Sequence, residues 1–350
     1  MSEPVSTRPP APTRVQRRWI VLPFVVLALL VVAYLAVWFK ARDAALHKFA
    51  AWVTAEKARG NDVRYDKARV IGLPFRFALE IENLQRTEGN GKSWKAAGLR
   101  INALPYDMSH VIAEALGPQT FTFSDGRAWT LTAESAAMSV HWNKHGLLRL
   151  SAIAKTVAWK AQDGDSGSLK AYALQITPTD KSATALRFQS EGVEGKLPPL
   201  KTAISAFGPE FQSISAKGTI NQTAIFKTGF NASAIDLWSA QRGTITVEQT
   251  KVLWGAEKLT GSGVLNLDRM RRIAGQIAMR TDDAQALAGA LRQKGWPNEG
   301  GAPKAITGPT EIPLIVQDGE VRFWDVPVRE LKPLYMPDLP DASGAPVAGG

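Results

Sequence analysis

The chain has no cysteine in its 350 residues. Disulfides and thiolate-ligated metal sites are therefore excluded, which suits an exported domain without requiring one. A concentrated basic surface is also missing, although the formal net charge is +10. Residues 1–18 carry four Lys or Arg and one acid, a balance of +3, and residues 40–59 carry five against two, again +3. Only +4 is left for the other 291 residues outside those segments and the uncharged run between them. A nucleic-acid binder carries its excess as a patch on the folded domain. Here much of it flanks an apolar run, where anionic lipid attracts it, and nucleic acid is not an expected partner.

Complete catalytic motifs are missing too. "GDSGS" at residues 164–168 has the letters of a serine-protease nucleophile loop, but no His has the neighbours that a base requires. "GNGKS" at residues 89–93 ends like a phosphate-binding loop. That pattern needs Gly where Arg86 stands, and the following "WKAAGLRINAL" reads as strand rather than helix. His141 and His145 have the spacing of a helical zinc pair, yet Trp142 replaces the Glu and "HWNKHG" reads as a hairpin end. Asp163 and Asp165 begin like a calcium loop with no Glu at the twelfth position. All four are expected to be turns. No catalytic residue and no metal ligand is assigned, no cofactor is expected, and the reading is of a protein that is not an enzyme. An unrecognised hydrolase stays as a third alternative.

What is present begins with residues 19–39, "WIVLPFVVLALLVVAYLAVWF", which hold no charge. As a helix they span roughly 31 Å, the thickness of a hydrocarbon core of about 30 Å. Trp19, Tyr34 and Trp38 stand near the ends, where aromatic rings favour the interface. A cleaved signal peptide has a shorter apolar region and a small-residue cleavage site. This run instead ends in Val37-Trp38-Phe39-Lys40. An uncleaved anchor is expected. Arg14, Arg17 and Arg18 precede it, and Lys40, Arg42 and Lys48 follow, diluted by Asp43. The positive-inside rule then tilts toward a cytoplasmic N-terminus with the long C-terminal part exported.

After the anchor, residues 41–59 read as a helix with an apolar stripe of Ala45, Phe49, Trp52 and Val53, closed by Gly60. From Val63 the apolar period changes to two. It recurs in "TFTFSDGRAWTLTAE", with a hairpin turn at Asp125-Gly126, and in later segments such as "GTITVEQTKVLWGAEKLTGSGVLNLD". Turns fall every eight to twelve residues or so, as in an antiparallel sheet. Helical interruptions are expected at residues 109–116, 200–207, 234–242 and 281–295, the last capped by Thr281 with Leu287 and Leu291 on one face. The expected organisation is a disordered cytoplasmic tail (1–18), a transmembrane helix (19–39), a juxtamembrane helix (40–60), a β-rich domain (61–335) and a disordered tail (336–350).

Eleven Trp are present. Trp94, Trp129, Trp142, Trp159, Trp254 and Trp324 fall in strand-like segments, either for core and cross-strand packing or lining an apolar groove. Within "YDKARVIGLPFRFALEIENL", residues 65–84, Gly72 permits a bend, Pro74 blocks pairing, and Phe75, Phe77, Leu79 and Ile81 alternate with polar residues.

"YDKARVIGLPFRF" behind a single anchor resembles the bacterial domain-of-unknown-function 2125 family. The resemblance continues in "SWKAAGLRINALPYDMSHV", "LWGAEKLTGSGVLNLDRMRRIAGQIAMR" and "GEVRFWDVPVRELKPLY", over roughly residues 20–335. It implies an anchored envelope protein of alphaproteobacterial type and carries no site residues. "LTGSGVLNLD" with "GQIAMR" is also similar to strand pairs in AsmA-like envelope proteins, whose curved sheets have apolar interiors that move lipid. The fold expected is mainly β with a few helices: one N-terminal transmembrane helix followed by an extended, curved antiparallel β-sheet domain. The function expected is a non-catalytic periplasmic protein on the bacterial inner membrane that binds or passes a lipid or other amphiphile. Its apolar groove would use Phe75, Phe77, Leu79, Val264, Leu265 and Leu267. Val264 and Leu265 cannot both face inward in an unbroken strand. The alternative is a structural protein with a closed core and envelope protein partners.

Overall fold

A computed structural model of the chain describes residues 17–74, 76–104, 107–144, 146–180, 182–195, 210–228, 232–255, 257–293, 308–323 and 326–334. The expected helix at 200–207, residues 1–16 of the expected N-terminal tail, the tail at 336–350, Phe75, His145 and Trp324 lie outside the described residues, while Arg17 and Arg18, expected in the tail, belong to the first helix.

The described residues open with one helix, α1 (Arg17–Ala58), of 42 residues, about 63 Å long at 1.5 Å per residue. It joins the expected anchor and the expected juxtamembrane helix without a break. From Val21 to Val37 nearly every residue is exposed; then Trp38, Phe49, Val53 and Glu56 turn buried faces to the sheet. This is the one described helix long and apolar enough to cross a membrane.

Among the described residues, sixteen strands follow in a single antiparallel sheet. They are β1 (Asp62–Arg64), β2 (Lys67–Ile71), β3 (Phe77–Thr87), β4 (Ser93–Leu104), β5 (Asp107–Thr122), β6 (Ala128–Asn143), β7 (Gly146–Ala161) and β8 (Ser166–Pro178). The series continues with β9 (Thr184–Gly195), β10 (Glu210–Ile220), β11 (Ile245–Trp254), β12 (Glu257–Leu267), β13 (Ile273–Thr281), β14 (Thr310–Gln317), β15 (Glu320–Phe323) and β16 (Val326–Glu330). From β3 onward every strand pairs with its successor, while β1 and β2 share the free side of β3. The two ends of the sheet do not pair, so it is open rather than a barrel.

Turn chemistry sets the meander. At Asp125-Gly126 the Asp125 carboxylate accepts from the Arg127 amide at 3.1 Å, and Gly126 sits at φ 80°. At the β12–β13 turn, Asp268 accepts from the Met270 and Arg272 amides at 2.8 and 2.9 Å. Gly72, at φ 105°, is obligatory: a Cβ there would lie 2.6 Å from the Arg76 carbonyl oxygen.

Among the described residues, two further α-helices interrupt the sheet. A 3-10 turn (Thr223–Thr228) and α2 (Ala232–Ala240) link β10 to β11, anchored by Trp238, whose indole donates to the Asn221 carbonyl at 2.7 Å. The second, α3 (Ala284–Gln293), follows β13. Its cap is Asp283, which accepts from the Ala286 amide at 2.8 Å; Thr281 instead accepts from the Asp283 amide. The helix expected at 109–116 does not form. Those residues lie inside β5, paired to β4 and β6 on both sides.

Candidate functional site

Residues paired directly across an antiparallel sheet project from the same face, so the register assigns every strand residue to a side. One row starts at Phe77 of β3 and passes through Ala103, Val111, Val140, Leu150 and Ile176. It continues through Leu186, Gly218, Val247, Gly263, Ile277 and Leu314 to Phe323 of β15. One residue from each strand between β3 and β15 takes part, and none carries a polar side chain. At about 4.8 Å between strands, the row is roughly 58 Å long.

The opposite face is polar. There Asn102 is followed by Ile112, Ser139, Ser151, Gln175, Arg187, Lys217 and Gln249. Part of this face forms a shallow depression of about 620 Å³ edged by Gln175, Arg187, Gln189 and Lys217. Nearer α1 it carries an ion-pair ladder. Glu80 accepts from Arg100 at 2.8 Å and from Arg69 at 3.1 Å, and Arg100 also reaches Glu114 at 3.3 Å. The hydrogen bond from Arg100, then that from Arg69, holds the Glu80 carboxyl below its usual range.

Among the described residues, helices cover the apolar face only at its ends. At the start, Phe49 and Val53 of α1 pack on Val63, Leu79, Ile81, Leu84 and Ala96. Trp38 meets Phe77 edge-on, ring centroids 6.2 Å apart. At the far end, Ala284, Leu287 and Ala288 of α3 pack on Leu259, Met279 and Ile312. Glu257 is buried beside this cluster; desolvation and the Asp283 carboxylate push its pKa up. Between the helices, one margin of the face holds Trp159, Val193, Phe211 and Trp254, with Phe211 and Trp254 stacked at 3.6 Å. The rest is a broad apolar stretch of partly exposed side chains, among them Leu150, Leu174, Ile176, Leu186 and Phe188. Hydroxyl groups interrupt it, among them that of Thr250, which pairs with Ala216 and Gly261 and donates to the Ser215 carbonyl at 3.1 Å. Tyr172 stands against Phe188, its pKa raised by burial, and the buried Ser190 hydroxyl has no hydrogen-bond partner among the described residues.

The residues assigned to the groove from sequence fall into three groups. Phe77 and Leu79 are on the apolar face but already covered by α1, so they seal the face rather than line its open stretch. Leu265 and Leu267 are on the apolar face and partly exposed, paired with Gly275 and Ile273. Val264 is a correction: it pairs with Thr246 and Gln276 on the polar face and is 48% exposed. The open stretch on β7 to β9 was missed, although the alternation in "GLLRLSAIAKTVAWKA" and "SLKAYALQITP" carried the signal.

The four fragmentary motifs sit where hairpins form. Residues 89–92 turn between β3 and β4, residues 162–165 turn between β7 and β8, and His141 lies near the end of β6. His141 stands beside His110, ring centroids 5.4 Å apart, and His110 Nε2 lies 2.8 Å from the Ser139 hydroxyl. No described carboxylate orients that ring. Among the described residues, no group of three or more His, Asp or Glu gathers as a metal site.

The class defined by this geometry is a long open antiparallel sheet, apolar on one face, carried on a helix able to cross a membrane. The chain belongs to the family DUF2125, described as uncharacterized protein conserved in bacteria, which matches residues 38–321. The match begins at Trp38, the first buried apolar residue of α1. No curated protein and no solved structure matches the chain.

Proposed function

We propose that this is a membrane-anchored, non-catalytic protein of the bacterial envelope that takes the acyl part of a lipid or other amphiphile onto the apolar face between α1 and α3. The observation that carries the reading is the row from Phe77 to Phe323, unbroken by any polar side chain. Each acyl CH₂ moved from water onto such a surface gains about 0.8 kcal/mol. A chain of a dozen carbons then offsets the cost of immobilising it. In this reading the N-terminus is cytoplasmic, α1 crosses the inner membrane, and the sheet stands in the periplasm. The ligand contacts are Leu150, Leu174, Ile176, Leu186 and Phe188, with Leu265 and Leu267 at the margin.

The test is to purify the full chain in mild detergent, extract bound lipid for mass spectrometry, and photo-crosslink a diazirine fatty acid. Crosslinks on β7 to β9 support the proposal. Absence of bound lipid together with crosslinks confined to α1 overturns it.

A second reading has its own support. Helices of this chain already cover the two ends of the face, so an apolar helix from an envelope protein partner fits the middle equally well. A co-purifying protein in stoichiometric amount, without lipid, favours that reading.

A further inference from the structure

The turn between β2 and β3 lies against the apolar half of α1. The Tyr34 hydroxyl donates a hydrogen bond to the Pro74 carbonyl. One turn further along the helix, Trp38 is 6% exposed and packs against Phe77. Tyr34 belongs to the uncharged run at 19–39, five residues before its last member, and Lys40 and Arg42 come after it. With that run centred in a hydrocarbon core of about 30 Å, Phe39 stands at the core boundary and Tyr34 about 7.5 Å inside it. Pro74, bonded to Tyr34, is carried to the same depth.

We infer that the Gly72-Leu73-Pro74 turn is a wedge seated in the acyl region of the bilayer that holds α1, so that the apolar face of the sheet starts inside the membrane. The inference rests on α1 as a membrane span and not on lipid transfer.

The chemistry of the turn suits that depth. Backbone polar groups in lipid must find partners within the protein. Here the Gly72 carbonyl accepts from the Arg76 amide at 2.6 Å, the Pro74 carbonyl accepts from Tyr34, and Pro74 has no N–H to satisfy. The tip presents Leu73, which is 45% exposed. A leucine at a water-facing loop tip gains nothing from that position; in acyl chains it gains burial. The first charge after the turn, Arg76, is exposed and turns to Asn102, with two hydrogen bonds at 3.0 and 2.7 Å. Phe77, next in the chain, opens the apolar row across the sheet. Membrane interior, turn and the start of the sheet face that α1 seals are therefore adjacent.

The absence of cysteine makes the test clean. Single variants Leu73→Cys, Lys92→Cys at the opposite end of β3, and Leu30→Cys within α1 are labelled with NBD and reconstituted in liposomes. Quenching by lipids bearing a nitroxide on the acyl chain is compared with quenching by aqueous iodide. The label at position 73 is expected to follow position 30: strong nitroxide quenching, blue-shifted emission, little iodide effect. Position 92 is expected to do the reverse. If position 73 behaves like position 92 while position 30 is quenched by nitroxide, the wedge is overturned and the span stands. If position 30 is also iodide-accessible, span and wedge fall together. Circular dichroism checks each variant's fold. Should Leu73→Cys misfold, Pro74→Cys, the next residue of the turn and also exposed, reads the same depth, and iodide access there with position 30 protected overturns the wedge.

Discussion

Glu56, near the C-terminal end of α1, accepts a hydrogen bond from Arg86 of β3 at 2.7 Å. Asn61 donates to the same carboxylate at 2.7 Å and Arg59 at 2.6 Å. Arg86 in turn donates to Glu88 at 2.6 Å. The Glu56 carboxyl is pulled from an ordinary 4.5 to about 2, first by Arg86, then by Asn61, with Arg59 behind them. This polar clamp closes the end of the α1–sheet contact opposite the wedge.

The clamp predicts acid sensitivity. A carboxyl whose folded pKa is depressed contributes stability above its unfolded value, and loses it as pH falls through the folded value. For Glu56 the window runs from about pH 4.5 down to about 2. Thermal melting of the full chain in detergent should therefore steepen its decline across that window. Glu56→Gln should melt lower near neutral pH and flatten the decline. An unchanged pH profile in the variant would show that the clamp contributes nothing.

Glu80 predicts a different failure. It is 8% exposed on the polar face and is shared by Arg69 and Arg100. Removing it leaves two guanidinium groups with one acid partner fewer, although Glu82 and Glu114 remain within reach of them. Hydrogen bonds to charged groups contribute roughly 1.5–3 kcal/mol, and Glu80→Ala should cost an amount in that range by urea denaturation. Glu82→Ala, on a half-exposed pair, should cost under about 1 kcal/mol. Equal losses from the two variants would remove the special role of Glu80.

Docking of α3 gives a third expectation. Leu287 is fully buried among Leu259, Met279 and Ile312. Leu287→Ala should cost about 2–5 kcal/mol, the range for a buried leucine. Leu237→Ala on α2, where the side chain is 49% exposed, should stay within about 0.5 kcal/mol. Similar costs at the two positions would mean that α3 does not rest on the sheet in solution.

Much of this architecture was legible because period two needs only local sequence. The segments at 63–87, 245–267 and 310–323 alternate, and they are strands. The stretch at 109–116, "SHVIAEAL", failed because Ala, Glu and Leu are good helix formers; pairing with β4 and β6 overrides that propensity. Alternation also cannot be counted through a bulge. Ile81 and Leu84 are three apart, yet both face α1, because Asn83 takes φ 51° between them. Ala154 and Val157 flank Thr156 at φ 48° in the same way. What covers a face is not local either. The pattern at Phe77 and Leu79 announced an apolar side, but only the docking of α1 decides that it is sealed, while Leu174 and Phe188 stay open.

Val264 and Leu265 supply the last prediction, because adjacent residues sample opposite faces of one strand. Val264 lies between Thr246 and Gln276 on the polar side, and Leu265 between Ile245 and Gly275 on the apolar side. Val264→Glu places a charge among polar neighbours in water and should change stability by no more than about 0.5 kcal/mol. Leu265→Glu places the same charge at the margin of the proposed acyl surface. If that surface holds an acyl chain, the substitution withdraws about two methylene contacts, equivalent to roughly a tenfold loss in capture of the crosslinking fatty acid. A general loss of folding would imitate this result, so melting midpoints are measured beside capture. Leu265→Ser, neutral and smaller, serves if the Glu variant unfolds. Tenfold weaker capture by the Leu265 variant at matched folding, with the Val264 variant unaffected, ties the ligand to the apolar face. Equal capture by wild type and both folded variants would place any bound lipid away from β12 and leave the partner-helix reading in possession of this margin.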